Sequence, residues 1–447
     1  MTDLSGLITG VFPYLMINFK KMTWLFKKIT IIDNGSTVYS SPVDMLIQNG
    51  CITKIGVNLR IPEARTIELD DLHVSIGWMD IGASHGDPGA EHRENLNSLR
   101  AVGAAGGFTA LAPWPDTNPC VDHKSAVHYL IKGNEDTPVS IFPIASLSEK
   151  GEGKEMAELM DLHQAGAIAF SDGKKPVIHG GLFYKVLTYL KAFSGICIHF
   201  PMDYSLSDEG QIHEGKMSTL TGLSGIPDVA ENMMVQRDLS LLHYAGGKLI
   251  LWGISSKISL ETLRRSDKLN RDVFVAVPIF NLVYSDEYLE TFDSNYKMMP
   301  PLRSGEDMSA LRNAVLNGEI QLISSNHSPW EADQKNLEFP YAAFGSISLQ
   351  HVFSLLRTKF DELPLPRLIE LMAYEPRRIL NITIPVIEEG AVANLTFFSP
   401  NREFTLHKLK NKSRSENTPL WNEKMKGMVY GVFNNGKLSL NDDYLSV

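Results

Sequence analysis

From residue 74 onward the chain alternates short, apolar, β-rich runs with helix-like stretches, and this alternation restricts the fold more than any other feature. The runs are "VSIGWMDI", "GFTALAPW", "VSIFPIAS", "AIAFSD", "GICIHFP", "GKLILWGIS", "VFVAVPIF" and "IQLISSNH". Between them lie stretches such as "HRENLNSLRAVGAAG", "KEMAELMDLHQAG", "GLFYKVLTYLKAFS" and "AENMMVQRDLSLLHYAG", several ending in Gly, as helix C-termini often do. Strand alternating with helix requires parallel strands joined by crossovers. Eight such runs over about 250 residues predict an α/β fold, a (β/α)8 TIM-like barrel, with its active-site mouth at the strand C-terminal ends.

The flanks have a different texture. "KITIID", "DMLIQNG" and "CITKIG" precede the barrel, and "EEGAVANLTFFSP" and "MVYGVFNNGKLSL" follow the closing helical stretch "LPRLIELMAYEPRRIL". Short β runs punctuated by Asn-Gly turns predict hairpins. The expected organisation is a barrel over residues 75–382 beside a small β-sandwich built from residues 22–74 and 383–447. Residues 1–21 read as an N-terminal extension or an upstream start, not part of the fold. Their apolar run "LITGVFPYLMINF" is interrupted by Pro13, is too short to span a bilayer, and carries its basic residues on the wrong side for a signal peptide.

Composition removes several classes of function. A net charge of −10 without a basic patch argues against a nucleic-acid partner. No run is long and apolar enough to predict a membrane span. Cys51, Cys120 and Cys197 are far apart and odd in number, as expected for reduced thiols in a cytoplasmic protein.

The chemistry should lie at the strand ends, and the first of these, "DIGASHGDPG" (80–89), poses a question. A strand holds a metal efficiently with His-x-His, because side chains two apart point the same way. The positions that share a face after Asp80 are Gly82 and Ser84, while the nearby His85 is in the opposite phase. A metal site, a displaced one and the shell of a lost one all remain open at this point.

The later strand ends carry a resemblance. "GGFTALAPWPDTNP" (106–119), "AIAFSDG" (167–173), "GLSGIPDVAE" (222–231), "KMMPPLR" (297–303), "NHSPW" (326–330) and the C-terminal "NTPLW" and "KGMVYGVFNNGK" occur in order. As a set they resemble a dihydroorotase of the amidohydrolase superfamily, multifunctional-complex type, from about residue 22 to the end. The resemblance implies the amidohydrolase-type barrel with its β-sandwich. It also implies the interconversion of dihydroorotate and carbamoyl-aspartate, with one or two zinc ions polarising the amide carbonyl and supplying hydroxide.

Matched by position, the resemblance puts the two strand-1 histidines of the family on Gly82 and Ser84, and the bridging carboxylate on Asp172. It puts the strand-5 histidine on His199, the strand-6 histidine on Gly253, and the proton-shuttling aspartate on Asn326. Only Asp172 and His199 keep ligand chemistry. In the substrate pocket the family arginine falls on Gly86 and its asparagines on Asp116 and Met299, while His327 takes a place that contacts substrate or its surroundings. A carboxylate facing an anionic substrate at about 4 Å costs roughly 1 kcal/mol in water and several in a partly dry site.

The resemblance therefore implies a degenerate metal site: no resident cofactor, no catalytic residue with Asn326 at the aspartate's place, and lost hydrolysis. The chain would then be a structural or regulatory partner, with aspartate transcarbamoylase as first candidate, and a homodimer as family members commonly are. The alternative is a working dihydroorotase-type hydrolase whose altered zinc site uses Asp172 and His199. Without the resemblance, His199 reads as a satisfied core histidine, Asp172 as a turn or cap carboxylate, and His85 as a solvated loop residue. Asp80 reads as an acceptor at the mouth, and "KNKSRSENTP" as a charged surface segment.

Overall fold

A computed structural model of the chain describes residues 23–33, 41–266 and 272–441, so the expected extension over residues 1–21 lies outside the described residues. The N-terminal strands are β1 (Thr23–Ile31), β2 (Val43–Gln48), β3 (Cys51–Gly56), β4 (Arg65–Glu68) and β5 (His73–Ile76). β1 changes partners along its length. Its first half lies between antiparallel β2 and parallel β4, and Thr30 and Ile31 pair with β5. A bulge between Phe26 and Ile29 makes the change, with Lys28 at φ +52°.

The run "VSIGWMDI", which reads as one strand, is two. β5 stays in the terminal sheet, and β6 (Trp78–Ile81) opens the barrel. Gly77 makes the break. A Cβ there would stand 2.0 Å from Thr109 Oγ1 and 2.1 Å from Asn394 Oδ1, so only glycine lets the chain pass.

The barrel continues through β7 (Phe108–Ala112), β8 (Ser140–Ile141), β9 (Ile144–Ala145), β10 (Ala169–Phe170) and β11 (Ile196–His199). A side ladder, β12 (Ile212–His213) with β13 (Gly225–Ile226), precedes β14 (Lys248–Trp252), β15 (Val273–Pro278) and β16 (Leu322–Ser324). All barrel pairings are parallel. β8 and β9 together make the third of eight positions. Pro143 lacks a donor, and the ladder is carried past it by Phe142 N to Leu111 O (2.8 Å) and Ile168 N to Pro143 O (2.9 Å). The ring closes where Ser324 Oγ donates to Ile81 O at 2.6 Å.

Strand periodicity sorts the side chains. Met79, Ile81, Ala110, Ala112, Ile196, Ile198, Ile250 and Trp252 form one buried cluster in the lumen. Their neighbours Trp78, Leu111, Cys197, Leu249 and Leu251 join the core between strands and helices. Helices Leu96–Ala105, Gly180–Leu190, Asp228–Ala245 and Gly305–Leu316 cover the outside. "KEMAELMDLHQAG" yields only the short helix Leu159–Gln164, because Glu155 and Met156 are tied to Glu149 and Ser148.

β17 (Leu395–Thr405), β18 (Lys424–Asn434) and β19 (Lys437–Leu440) complete the terminal sheet, β17 pairing with β5 so that both ends of the chain share one small β layer. No helix among the described residues is long and apolar enough to cross a membrane.

Candidate functional site

At the mouth, the strand-end positions expected to carry imidazoles hold small residues at Gly82, Ser84 and Gly253, and aromatic rings stand where a Cβ on the two glycines would go. Gly82 has φ +91°, and a Cβ on it would meet Trp114 Cζ2 at 2.8 Å and Trp252 Nε1 at 2.9 Å. The two indoles are fully buried and meet edge to face, with centroids 4.9 Å apart. Gly253, at φ +89°, faces the Phe200 ring, which would lie 2.9 Å from its Cβ. Ser84 donates its hydroxyl to Asp116 Oδ2 at 2.9 Å.

Asp172 and His199 are both committed to the protein. Asp172 accepts from the backbone of Leu147 and Ser148 at 3.1 Å each and from Ser148 Oγ at 2.5 Å. Burial raises its carboxyl pKa, against the pull of these bonds. His199 shares the phase of Cys197, in the strand–helix layer, and not that of Ile196 and Ile198 in the lumen. Its Nε2 accepts from Val177 N at 2.9 Å and its Nδ1 lies 2.5 Å from Asp238 on the outer helix. With Nε2 accepting, the proton sits on Nδ1 and goes to Asp238.

Asp80 is an acceptor at the mouth, held by Ser325 N (2.7 Å) and Ser325 Oγ (2.6 Å), and burial raises its pKa. Asn326 adopts φ +51° and donates Nδ2 to Met299 O at 3.2 Å, while its Oδ1 is buried with no protein partner. His327 is fully buried. Its Nδ1 accepts from Ser348 N at 3.2 Å, which leaves the Nε2 proton for Glu94 Oε2 at 3.3 Å. Burial would raise the Glu94 carboxyl, but hydrogen bonds from His327 and Ser413 hold it below the usual range.

Outside this floor a pocket of about 330 Å³ opens among Ser84, His85, Asp116, Lys174, Ser328 and Trp330. Lys174 Nζ donates to Ser328 Oγ at 2.6 Å, and burial brings its pKa down to about 8. Gly86 lines the pocket with no room for a side chain: a Cβ would stand 2.0 Å from Ala90 O. Met299 lines a neighbouring, more open pocket that shares Lys174 and Phe344.

His85 is not the solvated loop residue expected from its surroundings. It is 5% exposed, its Nδ1 accepts a long bond from Asp87 N (3.4 Å), and its Nε2 is buried without a partner. Nor is "KNKSRSENTP" simply a charged surface segment. Ser413 bonds Glu94, Ser415 Oγ donates to Arg93 O (3.0 Å), and Asn417 Nδ2 donates to Ser328 O (3.0 Å) and Gly345 O (3.1 Å). The segment is a strap from the terminal β layer across the rim.

A catalytic zinc needs about three protein donors converging on one point, with a position left for water. Among the described residues no three His, Cys, Asp or Glu side chains form such a group. The donors present do not fit the ion: His199 faces outward with both nitrogens occupied, and indoles and a phenyl ring fill the lumen rim. Sequence reasoning missed these aromatics and Lys174. The parity signal was available, since Trp114 is in phase with Ala110 and Ala112, and Trp252 with Ile250.

Comparison with known proteins fits this geometry to a family. A family model described as Dihydro-orotase-like matches residues 73–259. A dihydroorotase of Acetivibrio thermocellus is 34% identical over 90% of this chain and 96% of its own length. One from Syntrophus aciditrophicus is also 34% identical, over 94% of this chain and 100% of its own. Among solved structures, an L-hydantoinase (dihydropyrimidinase) from Arthrobacter aurescens superposes with a TM-score of 0.81 at 19% identity, over 94% of this chain and 97% of its own. At that identity the likeness shows the fold alone, the amidohydrolase barrel with its β-sandwich.

Proposed function

This chain belongs to the dihydroorotase family, dihydroorotase-like amidohydrolases of pyrimidine biosynthesis, and on that premise we propose that it neither holds zinc nor hydrolyses dihydroorotate. The observation that carries this reading is the pair of indoles, Trp114 and Trp252, at the position a Gly82 side chain would take. Asn326 supports it independently, because an amide cannot shuttle the proton that opening a cyclic amide requires. The remaining role is as a structural or regulatory partner of aspartate transcarbamoylase, in a cytoplasmic homodimer. The outer barrel surface is free to serve such a role while the mouth changes, since fold alone confers no activity.

A second reading keeps the chain a working cyclic-amide hydrolase with an altered site around Asp172, His199, Asp116 and His327. It is favoured by relatives that are named dihydroorotase over almost their whole length. Zinc content of protein purified without chelator, joined to a dihydroorotate turnover assay, decides between the two. Stoichiometric zinc with turnover sinks the first reading. For the partnership, size-exclusion chromatography of the mixture with aspartate transcarbamoylase should give one joint species, and two separate peaks end the idea.

A further inference from the structure

We infer that the pocket at the barrel mouth binds a small amino acid, its carboxylate taken by Lys174 and His85 and its ammonium by Asp116. The inference rests on the zinc-free reading of the mouth and assigns the pocket a ligand class.

Three observations carry it. First, the pocket presents both charges. Lys174 and Asp116 line the same cavity of about 330 Å³, and each is held by a hydroxyl, Ser328 and Ser84 respectively, and not by the other. A purely anionic ligand meets Asp116 and a purely cationic one meets Lys174; a zwitterion answers both. Arg93 also lines the pocket, but its guanidinium is bidentate on Glu331 at 2.6 and 3.0 Å and adds no free charge.

Second, His85 lines the cavity while 95% buried, with Nε2 lacking a protein partner. Its Nδ1 accepts from Asp87 N, so Nε2 carries the proton and is a donor. A buried donor left unmade costs about 1–3 kcal/mol; Nε2 is closed off in the empty cavity, so a ligand oxygen relieves that cost when the imidazole turns toward it. Third, Pro329, Trp330 and Phe344 supply an apolar wall for a side chain. The wall is rigid: Trp330 Nε1 donates to Phe344 O at 2.9 Å, and Arg93 stacks 3.9 Å from the Trp330 ring centre.

Isothermal titration of the full chain tests this with glycine, 4-aminobutyrate and L-phenylalanine, beside 3-phenylpropionate (no amine) and phenethylamine (no carboxylate). At least one amino acid should bind saturably. K174M and D116N should each weaken that binding by about tenfold or more, at unchanged circular dichroism. The inference is overturned if no amino acid saturates by about 10 mM. It is also overturned if binding survives both substitutions, or if either truncated analogue binds as tightly as the best-binding amino acid. Zinc is measured on the same sample. A zinc-bearing, turning-over protein removes the premise; a zinc-free protein that binds none of the probes removes only this inference.

Discussion

If Trp114 and Trp252 stand where a side chain on residue 82 would go, Gly82→Ala must be costly, and the cost must depend on the indoles. The alanine meets two penalties. An L-residue at φ +91° is disfavoured by about 1–2 kcal/mol. Its Cβ also falls 2.8 Å from Trp114 Cζ2 and 2.9 Å from both Trp114 Cε2 and Trp252 Nε1, where buried, interlocked rings cannot retreat freely. Overpacking of that kind costs about 1–3 kcal/mol. The sum is about 2–5 kcal/mol, a large share of the roughly 5–15 kcal/mol that holds a domain together. Trp114→Ala should by itself cost about 3–5 kcal/mol through the cavity it leaves. In that background Gly82→Ala should keep its backbone penalty and shed most of the overpacking, a coupling of about 1–2 kcal/mol. Urea unfolding of the four proteins, followed by far-ultraviolet circular dichroism, measures the cycle. A Gly82→Ala cost below about 0.5 kcal/mol, or one equal in both backgrounds, would mean the lumen is open at this point and the argument against a metal there is wrong.

Three further outcomes are expected. Glu94→Ala leaves His327 buried opposite nothing and unties Ser413, so stability should fall by about 3–5 kcal/mol, with faster proteolysis across residues 411–418; a neutral variant would show the strap is held elsewhere. Lys335, whose Nζ donates to Ser294 O, Ala343 O and Gly345 O, has its pKa lowered by burial to about 7, against about 10.4 unfolded. The unfolded chain then holds more protons, so this group's contribution to stability rises with pH from about 7 upward; melting temperatures between pH 7 and 8.5 should climb more steeply in the wild type than in Lys335→Met, and equal slopes would contradict the depressed pKa. His351, buried neutral and lowered to about 3, should make stability fall as pH drops below about 6.5, and His351→Phe should flatten that acid limb.

The fold was legible because alternating strand and helix patterns are set by local sequence, and the barrel follows from parallel pairing. The interruption at Gly77 was not, since its cause is Thr109 and Asn394, both distant in the chain. The site was legible where parity could be counted. Strand phase puts Trp114 and Trp252 in the lumen and sets Gly82, His199 and Gly253 together in the opposite phase; what holds His199 outward is its bond to Asp238, which matching letters to a family pattern does not reveal. The strap hid behind its charge: Ser413, Ser415 and Asn417 bond to the barrel at a period of two, while the intervening Arg414 and Glu416 are exposed. His85 and Lys174 were illegible because pocket walls come from several strand ends, and no single window contains them.

The same packing decides whether the fold needs a metal. Burying an aromatic side chain removes about 150–250 Å² from water, worth up to about 4–6 kcal/mol at 25 cal/mol per Å². Trp114, Trp252 and Phe200 are each essentially fully buried at the rim. The indole Nε1 atoms of both tryptophans lack partners, at about 1–3 kcal/mol each, so the aromatic plug remains favourable after that cost. An imidazole cage without its ion would instead bury several polar nitrogens and gain little. The barrel should therefore be as stable after exhaustive chelation as before it. A fall of several degrees in melting temperature on chelation, restored by added zinc, would show that a metal contributes folding energy here, and would require donors other than those the lumen presents.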